Sequence, residues 1–411
     1  MTAGDKIDGS AGDDTLSLTD STTLPAASLN VAGAGISMAS VEAVTIHTTG
    51  GLALDMSTWT GVARLNVTAL GTAKVSATLA ATTDASITYS GSGTTTVTGG
   101  REVFAAVKTA SAGDIAVVGA ALRSVILNGG AAASIDNLGS DGTSGSGTPL
   151  KSVTLESFAD GVVTIKGAGL ESLVLHNNYA PVKVTLVNPI PVHALQIYLG
   201  NAGYDLKGTR IINELADATA GSMNISTGWR SALTLATPAL AKLTLTGSGE
   251  LLLDVNAPVN GKLLTIDGSA ATSNVTLERL GAGTRTMSTG SGNDTFTVVT
   301  ATAKDDLASV GIDETITATI SSGAGDDAVT VATTGNGKVF LDMGEGNDVV
   351  RIASRSGAET MAIALGSGND TLLVAAGNHI NASDTVDGGD GVDALDLRLV
   401  GAAKIWGFLR L

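Results

Sequence analysis

No cysteine occurs anywhere in the 411 residues, so neither a disulfide framework nor a thiolate metal site holds this chain together. Aromatic residues are also scarce, at 3% against 43% for all hydrophobic types. Any core must therefore be built from Ala, Val, Leu and Ile. Only 7 prolines are present, and no apolar run is long enough to span a bilayer as a helix. Behind Met1 there is no basic start followed by an apolar stretch, since Asp5, Lys6 and Asp8 come at once, so a cleaved secretory leader is not expected. Export would use another address, or Met1 begins a piece of a longer chain. Basic residues are outnumbered 39 to 23, which gives a net charge of -16. That balance disfavours nucleic acid and anionic lipid as partners and suits multivalent cations.

What the chain does have is glycine, 53 residues of it, scattered among Thr, Ser, Ala and β-branched residues. This composition favours short strands and tight turns over helices. A weak repeat runs through the first two thirds: apolar, two others, apolar, one other, apolar. It is read at Val41-Val44-Ile46, Val62-Leu65-Val67, Leu122-Val125-Leu127 and Leu150-Val153-Leu155. It recurs at Leu170-Leu173-Leu175, Val192-Leu195-Ile197 and Leu240-Leu243-Leu245. Successive starts differ by 62-41 = 21, 150-122 = 28, 170-150 = 20 and 192-170 = 22. One coil per repeat, each burying its apolar row only by stacking on the next, predicts a solenoid. The 28-residue step contains the Gly/Ser-rich stretch 139–147, which reads as a surface insertion. A β-sandwich of short strands is the competing architecture.

From residue 288 a sharper motif takes over. It reads Gly290-Ser-Gly292-Asn-Asp294, Gly323-Ala-Gly325-Asp-Asp327, Gly344-Glu-Gly346-Asn-Asp348, Gly366-Ser-Gly368-Asn-Asp370 and Gly388-Gly389-Asp-Gly391-Val-Asp393. A related turn, Gly9-Ser-Ala-Gly12-Asp-Asp14, stands near the start. Glycines permit positive φ and aim carbonyl oxygens at one spot, and the aspartate adds a carboxylate there. Calcium takes six to eight oxygens, more than one turn supplies, so an ion is expected between stacked turns. The last aspartates step by 348-327 = 21, 370-348 = 22 and 393-370 = 23, one motif per coil. The step from Asp294 to Asp327 is 33, which marks an insertion or a looser coil. Residues 288–400 hold seventeen acids and five bases, or -12 of the net -16, so folding of this part should be coupled to cation binding.

These turns resemble the calcium-binding nonapeptide repeats of RTX proteins, a family of type I-secreted bacterial proteins. Together with the acidic, Cys-free, Thr/Ala-rich coils, the chain is similar in character to RTX-containing S-layer proteins of Gram-negative bacteria. The resemblance implies an all-β, right-handed parallel β-solenoid (β-helix or β-roll) with calcium-binding turns in its C-terminal part. It also implies Ca2+ ligands at Asp14, Asp294, Asp327, Asp348, Asp370 and Asp393 and in the turns of Gly290, Gly292, Gly323, Gly325, Gly344, Gly346, Gly366, Gly368, Gly389 and Gly391. The first glycine of the pattern is replaced by Thr289, Ser322, Met343 and Leu365. The implied organisation is an N-terminal segment 1–35, a solenoid 36–287 and a calcium-binding roll 288–411. The implied role is a secreted cell-surface lattice or filament subunit that associates with itself, with a surface polysaccharide as a further partner. A calcium-stabilised adhesin or phage fibre module is the alternative.

An enzyme is not expected. None of His47, His176, His193 and His379 begins the H-E-x-x-H of a zinc protease, and each reads as a coil-surface or loop residue. No G-x-S-x-G nucleophile turn and no phosphate-binding glycine loop is present. Asp305/Asp306 and Asp313/Glu314 are paired carboxylates without the aromatic platforms of a glycosidase. The aromatic tail around Trp406 and Phe408 reads as a cap on the last coil, an export signal or a subunit contact.

Overall fold

A computed structural model of the protein describes residues 6–410, apart from 21–28, 32–36, 71–73, 92, 108–113, 140–142, 146, 148, 191, 256–261, 281–283, 302–316, 335–337, 356–359, 377–378 and 398–408. The described residues form 37 short strands and no helix. The chain divides into two compact units, Met1–Thr219 and Ala220–Leu411. Each is a β-solenoid in which every coil contributes one strand to each of two parallel sheets.

In the first unit one sheet runs from Thr15–Asp20 through Ala43–Thr48 and Ser124–Asn128 to His193–Gly200. Val44 lies opposite Leu65, Val125 opposite Val153, and Val153 opposite Leu173, with every pairing parallel. The other sheet places Ile115 opposite Ala133 and Val163 opposite Val184. Strands alternate fully buried with half-buried or exposed residues, as at Ala43–Thr48 and Ser152–Glu156, so the apolar rows of both sheets enclose the core. Val44, Ile46, Leu127, Val153 and Leu173 are fully buried. In the second unit Met223 pairs with Leu243, and Val339 with Met361. Between the glycine-aspartate turns, Lys338–Asp342 and Thr360–Ala364 form return strands.

The repeat reading fails at one place. It set Leu173 opposite Leu195, but Leu173 pairs with Ile197 and Leu175 with Leu199. Val192, expected in the core, is 76% exposed at φ 55°. The loop that begins at Asn188 and Pro189 carries two more residues than the repeat allows. A slip of two keeps the same face inward, so the burial pattern survives it. His193 also departs from the surface role expected of it. Its side chain is nearly buried, and Nε2 lies 3.0 Å from Oδ2 of the fully buried Asp217. The Asp305/Asp306 and Asp313/Glu314 pairs and the tail around Trp406 fall outside the described residues.

Candidate metal centre

The five glycine-aspartate turns of the second unit stack in register. Ser291, Ala324, Glu345, Ser367 and Asp390 form a continuous chain of parallel bridges. The Gly325 N–H donates to the Glu345 carbonyl at 2.7 Å, and the Gly346 N–H to the Ser367 carbonyl at 2.8 Å. The ladder thus continues round the corner between the sheets. Glycine is required by this close approach: a Cβ on Gly344 would lie 1.8 Å from the Gly323 carbonyl oxygen, and one on Gly346 2.0 Å from that of Gly325. Gly346 also sits at φ 134°.

The aspartates make two connections from one position. Each lies just before a strand with its side chain directed inward, because it shares the parity of the core residues that follow. One carboxylate oxygen accepts a backbone N–H from the preceding coil. Val275 donates to Asp294 at 2.7 Å, Asp294 to Asp327 at 2.7 Å, and Asp327 to Asp348 at 2.8 Å. Asp348 donates to Asp370 at 2.8 Å and Asp370 to Asp393 at 3.1 Å. Asp294, Asp327, Asp348 and Asp370 are no more than 1% exposed, and the Oδ2 atom of each is buried without a hydrogen-bond partner. None of the ion pairs among the described residues involves these four.

Burial pushes the carboxyls up. Asp294 and Asp327 rise to about 6 through loss of solvation, partly offset by the Val275 and Asp294 N–H groups. The hydroxyls of Thr289 and Ser322 donate to the Ser322 and Met343 carbonyls at 2.7 Å, so the second carboxylate oxygens stay unpartnered. Asp348 goes further, to about 7, again chiefly through desolvation, with Asp327, Asp370 and Asp326 repelling it. At its coil the hydroxyl position is the thioether of Met343. Asp370 is raised for the same leading reason.

The first unit supplies an internal comparison. There Asn213 precedes a strand in the same way and accepts the Val182 N–H at 3.0 Å. Asn178 accepts the Phe158 N–H at 2.9 Å and donates to the Leu155 carbonyl at 3.1 Å. A neutral amide therefore suffices to hold the corner, even though Asn213 Nδ2 is itself unpartnered. A carboxylate in that place adds negative charge and an oxygen with nothing to bind, repeated at the inter-strand spacing of about 4.8 Å. Among the described residues no three His, Cys, Asp or Glu side chains converge as a ready-made metal site. A hard cation here would be held by carboxylates of successive coils and completed by turn carbonyls, and the orphaned oxygens fit that donor set.

No family model, no curated protein and no solved structure matches this chain.

Asp14 stands apart from the row. Its turn lies in the first unit, and its N–H donates to Oε2 of Glu42 at 2.8 Å, with Asp14 Oδ2 buried and unpartnered. Glu42 thus plays the part of the next aspartate, a role the sequence pattern missed because no glycines flank it. A second, exposed ladder was also missed. Asn293 Oδ1 accepts the Asp326 N–H at 3.1 Å, Asp326 Oδ1 the Asn347 N–H at 2.7 Å, and Asn347 Oδ1 the Asn369 N–H at 2.9 Å. The amide or acid before each motif aspartate is the signal that marks it.

Proposed function

We propose that this is a secreted, calcium-dependent structural protein of the RTX class that self-associates into a cell-surface lattice or filament and catalyses no reaction. The observation that carries the reading is the row of buried aspartates 294, 327, 348 and 370, each with an unpartnered oxygen, in stacked glycine turns. Calcium neutralises the row when bound and gives the orphaned oxygens a partner. The chain's residues do the rest: glycines bring the turns together, one carboxylate oxygen caps the neighbouring coil, and the other would hold the ion. A stack stabilised by ions rather than disulfides suits a Cys-free extracellular part, and repeated coils suit assembly.

The test is calcium titration of the purified chain, followed by circular dichroism and negative-stain imaging. Millimolar calcium should raise the melting temperature of the second unit and yield ordered sheets or fibres. A melting curve identical in calcium and chelator would sink the metal assignment. A calcium-stabilised protein that stays monomeric would sink the lattice assignment alone.

A further inference from the structure

The outward face of one sheet in the first unit carries an apolar row that the sequence does not display. Phe104 lies opposite Ile126, Ile126 opposite Thr154, Thr154 opposite Val174, and Val174 opposite Tyr198. Side chains on this face point away from the core, yet Ile126 is 36% and Tyr198 46% exposed, and Phe104 and Val174 are half-buried. The row crosses five strands, four intervals of about 4.8 Å, or roughly 19 Å. Polar rows border it on both sides. Ser124, Ser152 and Ser172 run along one, with Ser152 Oγ donating to Ser124 Oγ at 3.0 Å. Asn128, Glu156 and His176 run along the other, with Asn128 Nδ2 donating to Glu156 at 3.0 Å and His176 Nδ1 3.5 Å from Glu156. At the Phe104 end the face dips into a depression of about 210 Å³ between Phe104, Ile126, Ser86 and Asn66.

We infer that this row binds a neutral, extended polysaccharide lying across the strands. An apolar strip one residue wide is too narrow for a second copy. Sheet-on-sheet packing interdigitates several rows, and a stable interface buries on the order of 1,000 Å² or more. A peptide added as a strand needs a free sheet edge, but these inner strands are paired on both sides. An extended peptide's same-face side chains also recur every ~6.6 Å, out of step with a 4.8 Å row. An anionic polymer is opposed by Glu102 and Glu156 at the rims. A β-linked hexose chain meets each condition. Its C–H faces pack on aromatic and aliphatic side chains, its hydroxyls both donate and accept and so match the Ser, Asn and His groups and the accepting Glu156 of the rims, and one sugar advances by close to one inter-strand spacing. The inference deepens the cell-surface reading proposed above and rests on it for the class of partner, but its observations lie in the first unit alone and do not depend on the cation row.

The experiment uses the full chain and calorimetric titration with neutral β-linked hexose oligomers of two, four and six residues, with a sulfated hexamer as control. Affinity should rise at least tenfold from two residues to four and little further to six, with the sulfated oligomer weaker. Phe104→Ala and Tyr198→Ala should each weaken binding tenfold or more with an unchanged circular dichroism spectrum. Phe340→Ala, which removes an exposed ring from the second unit, should leave it unchanged. Asp348→Asn should also leave it unchanged, which separates this outcome from that of the cation test. Absence of binding to every neutral oligomer, or equal binding by Phe104→Ala and wild type, overturns the inference. So does a loss of self-association in the two aromatic variants, which would make the face a contact between copies.

Discussion

Asp348 is the residue on which the competing demands of the turn row meet most sharply. Its carboxylate caps the Asp327 N–H while its second oxygen is buried without a partner. Asp348→Asn keeps an acceptor for that N–H and removes the charge. In chelator the variant should be more stable than the wild type, by about 1 kcal/mol, the scale of one relieved buried polar group. In calcium the order should reverse. Melting curves under both conditions check this, and a variant weaker than wild type in chelator would contradict it. Gly346→Ala tests the backbone rather than the charge. Its Cβ would lie 2.0 Å from the Gly325 carbonyl at φ 134°, so a loss of about 2 kcal/mol or more is expected from equilibrium unfolding of the second unit.

The element that matters is the stack of turns, because its members titrate together. Asp294 and Asp327 have carboxyls pushed up to about 6 and Asp348 to about 7, against 3.8 for the free group. A carboxyl with a raised value holds its proton more tightly when folded than when unfolded. Stability is then greatest below about pH 4 for these groups and falls as pH rises to about 7. In chelator, acidification from pH 7 to pH 5 should raise the melting temperature of the second unit. With calcium bound the carboxylates are ionised, and the same acidification should lower it. A scan of melting temperature against pH with and without the ion reads both signs. Within the ordinary core the expectation is plainer. Leu155 is fully buried between Leu127 and Leu175 in its row, so Leu155→Ala should cost about 2–5 kcal/mol irrespective of calcium.

For the whole molecule, the two units should respond differently to the ion. Apart from the single carboxylate corner of Asp14 and Glu42, the first has neutral amides such as Asn178 and Asn213 at its corners, whereas the second has a row of buried carboxylates. Differential scanning calorimetry should show two transitions, with the one belonging to the second unit moving upward in calcium and the other still. A single transition that shifts as one would contradict a stabilising role confined to the second unit.

An all-β stack of coils was legible in the amino-acid order because its signals are local. Alternation such as Val44-Thr-Ile46 turns one face inward, and glycine two and four places before each motif aspartate permits the turn whatever lies beside it. Spacings of 21 to 23 residues between Asp327, Asp348, Asp370 and Asp393 placed those side chains in one row. Other features depended on which residues of different coils land side by side, and loop lengths decide that. The two extra residues in the loop before His193 moved Leu173 from Leu195 to Ile197 and left Val192 outside. The same stacking gave Asp14 its partner in Glu42 and brought His193 to Asp217. It deprived four carboxylates of a hydrogen bond and drew Phe104 and Tyr198 into one outward row. Periodicity is a property of the strand and can be read from it. Adjacency between coils is a sum over every intervening loop, and only the folded stack performs that sum.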